Sequence, residues 1–160
     1  MGKYPVVVVI LLGLTGLLTG CDDSPSSSGD DRGDSAFTTA TGESLEWDSL
    51  RGDWVLVNYW AEWCKPCLEE IPELNRVDEL EGVTVLAVNY DGVSGAELVE
   101  LGERMGIGFT MLADNPAPDL GWEVPGGLPA TFLVGPDGEL KDTLMGAQTE
   151  DELMARIGRD

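Results

Sequence analysis

Residues 60–67 read Trp60-Ala61-Glu62-Trp63-Cys64-Lys65-Pro66-Cys67 and hold two of the three cysteines of the protein, separated by two residues. The preceding residues, 54–60, are rich in β-branched and aromatic types, a composition typical of a buried strand. Apolar residues at helical spacing follow the pair. The cysteines therefore lie where a strand passes into a helix, and the N–H groups and dipole of a helix N-terminus favour a thiolate. Such a pair can attack a disulfide and then release the mixed disulfide that forms.

The composition excludes several kinds of site. Thirty Asp and Glu residues stand against nine Lys and Arg, and the resulting net charge of −21 opposes binding to nucleic acid. Histidine is absent, which removes His-based acid–base catalysis, His-activated nucleophiles and His-ligated metals. A length of 160 residues fits one domain. We expect no metal and no cofactor, because a Cys-x-x-Cys pair is half of a zinc site and the other half is missing.

The first 20 residues are expected to be a lipoprotein signal peptide. Lys3 supplies a positive charge, and residues 6–18 form an apolar run of 13 residues, shorter than the roughly 20 that cross a membrane. The sequence Leu18-Thr19-Gly20-Cys21 is similar to a bacterial lipobox, which implies that Cys21 is lipidated and becomes the N-terminus. The alternative is an ordinary secretion signal with a chance cysteine. Lipid chains on Cys21 would hold the protein at a membrane surface.

Residues 21–36 are predicted to be a flexible acidic tether, since they carry no large apolar side chain. The folded domain is then residues 37–160. We expect an extracytoplasmic location on a bacterial membrane. Asp22 follows the lipidated cysteine, and in some Gram-negative sorting systems this favours the periplasmic face of the inner membrane.

The order of predicted elements indicates the class of fold. Residues 37–47 predict one or two short strands around a turn, and capping-box patterns at residues 94–97 and 149–152 predict two helix starts. Further strands are predicted at 54–60, 83–90, 109–113, 131–134 and 139–145. This order indicates an α/β protein with a central mixed sheet, helices on both sides of it, and short extra strands at the N-terminus.

A cysteine pair after the first core strand resembles the thioredoxin fold, and more narrowly the TlpA/ResA-type family of membrane-anchored thiol–disulfide oxidoreductases. The resemblance is carried by residues 57–67 and by Glu70 and Pro72, which complete a Cys-x-x-Glu-x-Pro pattern. Residues 127–138 are similar to the family's cis-proline loop and terminal hairpin. The resemblance covers about residues 37–158.

The resemblance implies a role for each residue of the cysteine motif. Cys64 is expected to be the attacking cysteine, exposed at the helix start, and Cys67 the more buried resolving cysteine. Pro66 restricts the loop between them and suits the first turn of a helix. Lys65 has two interpretations: a cation that lowers the pKa of the thiol, or a solvated side chain.

The second motif is expected to bind substrate. The resemblance implies that the Leu128–Pro129 bond is cis and packs against Cys64, which leaves the backbone of Leu128 free to pair with an extended peptide. Trp60 is predicted to lie in the core. Trp63 is predicted to shape the surface where substrate docks.

The predicted site differs from that of thioredoxins in the residues that could handle protons. Thioredoxins carry a buried aspartate where this chain has Asn58, and an amide cannot take up the proton of the resolving cysteine. Glu70, one helical turn after Cys67, is a candidate for this role. We favour the other interpretation, an exposed helical glutamate.

Together these features predict an extracytoplasmic enzyme that reduces disulfides of client proteins, with apocytochrome c as a candidate client. The expected partners are a membrane electron donor of the DsbD/CcdA type and the membrane itself, and the protein is expected to be a monomer.

A thiol oxidase or isomerase is the main alternative, although no His lies between the cysteines. A peroxiredoxin-like peroxidase would need a Pro-x-x-x-Thr/Ser-x-x-Cys signature, which is missing. A non-catalytic lipoprotein is the last alternative. The acidity indicates either a basic partner or, as we favour, general surface solvation.

Overall fold

The computed structural model describes residues 35–158. The predictions of a signal peptide, of a lipidated Cys21 and of nearly all of the tether fall on residues 1–34 and lie outside the described residues. Within residues 35–158, no helix is both long and apolar enough to cross a membrane.

The described elements follow the predicted order. The described part begins with a hairpin and a short 3-10 helix, and then alternates strands and helices before a second hairpin and a last helix. The elements are β1 (Ala36–Thr38), β2 (Ser44–Glu46), the 3-10 helix (Trp47–Leu50), β3 (Trp54–Trp60), α1 (Lys65–Asp78), β4 (Val83–Asn89), α2 (Gly95–Met105), β5 (Thr110–Leu112), β6 (Ala130–Val134), β7 (Leu140–Met145) and α3 (Glu150–Arg156).

A five-stranded mixed sheet with the order β5-β4-β3-β6-β7 forms the centre of the protein. Strands β3, β4 and β5 run parallel, whereas β6 and β7 are antiparallel to their neighbours. The end of β3 lies beside the start of β6, because Tyr59 pairs with Ala130. The cysteine pair follows β3 and the proline loop precedes β6, so this register brings both motifs to the side of the sheet where β3 ends. We call this side the cysteine edge.

The two faces of the sheet are covered differently. Buried residues of all three helices, such as Leu74, Leu98 and Leu153, pack in one cluster with Leu56 and Trp60 of β3. The opposite cluster is closed by the first hairpin, the 3-10 helix and the loop before β6. The prediction of helices on both faces is wrong. The connections β3-α1-β4 and β4-α2-β5 step in the same direction across the sheet, and right-handed crossovers then place both helices on the same face.

The two predicted capping boxes have different outcomes. At the start of α3, the Thr149 side chain accepts from the N–H of Glu152, and the Glu152 side chain accepts from the N–H of Thr149, so this capping box is confirmed. Ser94 precedes α2, but its side chain makes no capping hydrogen bond. The predicted helix start is confirmed, since Ser94 is the N-cap of α2, but the capping box does not form, because Gly95 has a φ of 62° and the first turn is not regularly helical.

Candidate active site

The two cysteines lie at the N-terminus of α1 and form a disulfide, with their Cα atoms 5.3 Å apart. Cys64 is the N-cap residue, and Cys67 lies in the first turn after Lys65 and Pro66. Cys67 is fully buried, and Cys64 keeps only 4% of its surface exposed. The predicted order of burial agrees with this arrangement, but the predicted exposure of Cys64 is wrong in degree. Attack by Cys64 on another disulfide therefore requires that disulfide to approach the N-terminus of α1 closely.

The backbone at this helix start points at the first sulfur. The N–H of Cys67 donates to Sγ of Cys64 over 3.3 Å. A donor aimed at sulfur, together with the positive end of the helix dipole, favours a thiolate over a thiol at Cys64 once the disulfide is reduced. Lys65 is exposed, and its Nζ lies 3.8 Å from the Glu69 carboxylate, which is the position of a solvated side chain.

The loop before β6 contains the predicted cis-proline. The Leu128–Pro129 bond is cis, as expected. The Pro129 carbonyl accepts from the N–H of Gly146 over 2.9 Å, which ties this loop to the end of β7. In the described part of the chain no hydrogen bond engages the backbone of Leu128. That backbone is therefore free to pair with another peptide.

Glu70 is buried, with 1% of its surface exposed, so the favoured prediction of an exposed glutamate is wrong. Its Oε1 accepts from Nδ2 of Asn58 over 2.7 Å, and its Oε2 accepts from the N–H of Gln148 over 3.0 Å. The same Asn58 amide also donates to Oγ1 of Thr131 over 3.0 Å. Burial raises the pKa of Glu70 to about 7, and the hydrogen bonds from Asn58 and Gln148 oppose this rise.

The position of Glu70 on the helix explains its burial. Cys67, Glu70, Ile71, Leu74 and Val77 are the buried residues of α1, and their spacing of three and four residues defines one face. This periodicity is present in the sequence and was the signal that could have found Glu70. Nothing local in the sequence indicates its hydrogen-bond partners Asn58 and Gln148, which lie 12 and 78 residues away along the chain.

Two tryptophans precede the cysteine pair in the chain and lie in different environments. Trp60 is fully buried, as predicted. Trp63 is 66% exposed, and its Nε1 donates to the Asp91 carboxylate over 3.0 Å. Sequence reasoning missed Asp91, which fixes the indole beside the cysteine pair. No group of three or more Cys, Asp and Glu side chains in residues 35–158 is arranged to hold a metal ion.

Comparison with known proteins identifies the class of this site. The AhpC/TSA family matches residues 29–143. The chain is 32% identical over 123 residues to thiol-disulfide oxidoreductase ResA of Geobacillus kaustophilus, which covers 75% of this chain and 70% of the relative. It is 35% identical over 104 residues to thiol:disulfide interchange protein HelX of Rhodobacter capsulatus, covering 64% of this chain and 57% of the relative.

A solved structure shows the same fold. It is that of a secreted Mycobacterium tuberculosis disulfide oxidoreductase homologous to E. coli DsbE. The TM-score is 0.61 at 25% identity, and the match covers 81% of this chain and 98% of the other. The thioredoxin-like fold and the cysteine pair at a helix N-terminus thus define a thiol–disulfide oxidoreductase. The chain belongs to the AhpC/TSA family, and the resemblance to ResA-type proteins is confirmed.

Proposed function

We propose that this protein is a lipid-anchored, extracytoplasmic reductase of disulfides in client proteins. The observation that carries the proposal is the Cys64–Cys67 pair, in which the helix start donates an N–H to the first sulfur. Buried Glu70 lies one turn further along the same helix face and titrates near neutral pH.

The reaction uses the two sulfurs in turn. In the reduced protein, the Cys64 thiolate attacks one sulfur of the client disulfide, a mixed disulfide forms, and the other client sulfur leaves as a thiolate. Cys67 then loses its proton and attacks Sγ of Cys64, which releases the second client thiolate. Two electrons have passed to the client, and the protein holds the Cys64–Cys67 disulfide.

Glu70 is the proposed acceptor for the proton of Cys67. The two residues are three apart on α1, and such pairs are neighbours on a helix surface. With a pKa of about 7, the Glu70 carboxyl is divided between its charged and neutral forms at neutral pH, as suits a group that takes up and returns a proton. Asn58 does not accept the proton and instead holds the carboxylate in place.

The client is proposed to bind as an extended segment across the cysteine edge of the sheet. The unpaired backbone of Leu128 supplies hydrogen bonds to this segment, a form of strand addition. Pro129 shapes the loop on one side of the bound segment, and Trp63 lies on the other side. The Trp63 side chain is exposed and is held by a hydrogen bond to Asp91.

The proposed setting follows from the chemistry of the pair. Outside the cytoplasm a dithiol is oxidised, so repeated turnover needs a reductant. We assign this role to a membrane dithiol donor of the DsbD/CcdA type, which reduces the Cys64–Cys67 disulfide as its own pair is oxidised. The expected signal peptide, residues 1–20, supports export, and Cys21 supports anchoring on the periplasmic face of the inner membrane. One structural relative is described as secreted. Apocytochrome c is the proposed client, and the protein acts as a monomer.

The proposal is tested by the reduction potential of the Cys64–Cys67 pair, measured in dithiothreitol or glutathione buffers. A value near that of thioredoxin, about −270 mV, is expected for a reductase. A value near about −120 mV, as in strong oxidants, would reverse the proposed direction of electron flow. In the same preparation, insulin reduction should require Cys64, and equal activity of a Cys64→Ala variant would contradict catalysis by this pair.

A further inference from the structure

Apolar side chains gather in a groove next to the proline loop. Residues 35–158 have five exposed large hydrophobic side chains, and three of them line this groove: Val124, Leu140 and Met145. Val124 is 47% exposed and Met145 is 55% exposed. Apolar side chains that cluster on a surface, rather than scatter, mark a site of interaction.

The groove has an aromatic floor and a volume of about 460 Å³. The rings of Trp122 and Phe132 meet edge to face with their centroids 5.3 Å apart, which makes a firm apolar base. Its walls are the loop before the cis-proline and strand β7. The lining residues are Gly121, Trp122, Glu123, Val124, Pro125, Gly126, Phe132, Leu140, Thr143 and Met145.

The position of the groove connects it to the cysteine edge. Met145 pairs with Ala130, the residue that follows Pro129, and the next residue, Gly146, donates to the Pro129 carbonyl. Gly126, at the other wall, is two residues from Leu128. A client segment that pairs with the Leu128 backbone therefore reaches the groove within a few residues, since an extended chain advances about 3.3 Å per residue.

Charge limits the chemistry of the occupant. Glu123 is the one charged residue that lines the groove, and it has no ion pair in the described part of the chain. Every Lys and Arg in residues 35–158 already has an acidic partner: Arg51, Lys65, Arg76, Arg104, Lys141 and Arg156. A basic residue from outside therefore complements Glu123 and the net charge of −21. The protein's own residues 21–36 carry no large apolar side chain to fill the groove.

We propose that this groove is a specificity subsite for the client polypeptide. It holds one large apolar or aromatic side chain near the client cysteine that Cys64 attacks, and an adjacent lysine or arginine of the client faces Glu123. The subsite rests on the proposed function and narrows its substrates to disulfides flanked by an apolar and a basic residue.

The test uses pre-reduced protein in single turnover, so that no electron donor is needed. Short peptides carry a cysteine in a mixed disulfide with glutathione, and a Phe-Lys or a Ser-Glu pair is placed at each position from one to four residues on either side. The rate of Cys64–Cys67 disulfide formation is followed by acid quenching and mass spectrometry. At one position we expect the Phe-Lys peptide to react at least about tenfold faster, the scale of discrimination by an apolar pocket.

Variants of the protein then show which residues cause the preference for the Phe-Lys peptide. A Val124→Ser, Met145→Ser double variant should bring the rate ratio close to one, whereas Tyr90→Ser, which removes an exposed apolar side chain outside the groove, should keep it. Phe-Glu and Ser-Lys pairs at the same position separate the two preferences, and a Glu123→Gln variant should lose the preference for Lys over Glu and keep the preference for Phe over Ser. The comparison of peptides on the unaltered protein and on Glu123→Gln stands even where the double variant does not fold.

The outcomes separate the subsite from the proposed function. Equal rates for all peptides, with clear turnover that depends on Cys64, would overturn the subsite alone. A preference that survives in the folded double variant would also overturn it. No reaction with any peptide would overturn both proposals. Occupation of the groove by a second copy would appear as a mass that rises with protein concentration, and this result too would contradict a client subsite.

Discussion

Glu70 is a buried carboxyl whose two oxygens both accept hydrogen bonds, one from Asn58 and one from the backbone of Gln148. Loss of hydration disfavours the charged form and is the largest effect on its pKa, while both hydrogen bonds favour the charged form. The balance leaves a pKa of about 7, compared with an ordinary value of 4.5. The folded protein therefore holds this proton more tightly than the unfolded chain does.

The pKa of Glu70 predicts how stability depends on pH. Because the folded pKa lies above the unfolded pKa, Glu70 lowers the free energy of unfolding as pH rises from about 4.5 to about 7. The loss approaches about 3 kcal/mol when both states are ionised. A Glu70→Gln variant lacks this titration, so its stability relative to the unaltered protein should increase over that range.

Urea unfolding of the oxidised proteins at pH 4.5, 6, 7 and 8 measures this difference. The control is Glu73→Gln, on the same helix, where hydrogen bonds from Arg76 and from the backbone of Glu150 lower the pKa instead. Its stability relative to the unaltered protein should not rise over the same range. A difference between Glu70→Gln and the unaltered protein that stays constant with pH would show that Glu70 does not titrate near neutrality.

At the residue scale, the sequence predicted which residues carry the chemistry better than it predicted their burial and their hydrogen-bond partners. Cys64 and Cys67 could be recognised because a strand, a Cys-x-x-Cys pair and a helix are consecutive in the chain. The cis bond at Pro129 was also expected. The periodicity of α1 indicates that Glu70 is buried, but its hydrogen-bond partners are 12 and 78 residues away, and no local pattern reports contacts of that kind. Charge alone favoured an exposed side chain.

At the scale of single elements, α2 and α3 offer a matched comparison of helix starts. Both follow the Ser/Thr-x-x-Glu pattern, but only Thr149 accepts the capping hydrogen bond, over 3.3 Å from the N–H of Glu152. Thr149→Ala should therefore lower the free energy of unfolding by about 1 kcal/mol, the usual effect of losing a cap. Ser94→Ala should change it by clearly less.

Denaturant unfolding of the two alanine variants at one pH decides this prediction. A loss at Ser94 as large as that at Thr149 would mean that α2 is capped in solution and that its first turn differs from the one described. Equal and negligible effects at both positions would show that the capping box at Thr149 does not contribute to stability.

Element order was predictable because each strand and helix has its own local pattern. The arrangement of the helices was not. The apolar stripe of α1 or α2 indicates that the helix is buried on one side, but it does not indicate which face of the sheet the helix covers. That choice depends on strand order, since β4 and β5 both lie on the same side of β3. A pattern of local segments contains no information about this order.

At the scale of the whole molecule, the excess of acid is the dominant electrostatic feature. The net charge is −21, and all Lys and Arg in the described residues already take part in ion pairs. These pairs are largely exposed, and exposed ion pairs contribute little, with a typical value between about 0 and 1 kcal/mol. Repulsion among the remaining carboxylates should therefore outweigh attraction in the folded state.

Salt is expected to stabilise this protein. Between 10 mM and 1 M NaCl the Debye length falls from about 30 Å to about 3 Å, so repulsion between distant carboxylates is screened. The melting temperature should rise over this range, by roughly 2–4 °C for each 1 kcal/mol gained. A Glu100→Gln, Glu103→Gln variant removes two exposed charges of α2, neither of which has an ion pair within residues 35–158. It should melt higher than the unaltered protein at 10 mM NaCl, and its melting temperature should rise less with salt. A melting temperature that falls as salt is added would mean that the ion pairs stabilise the fold more than the repulsion destabilises it.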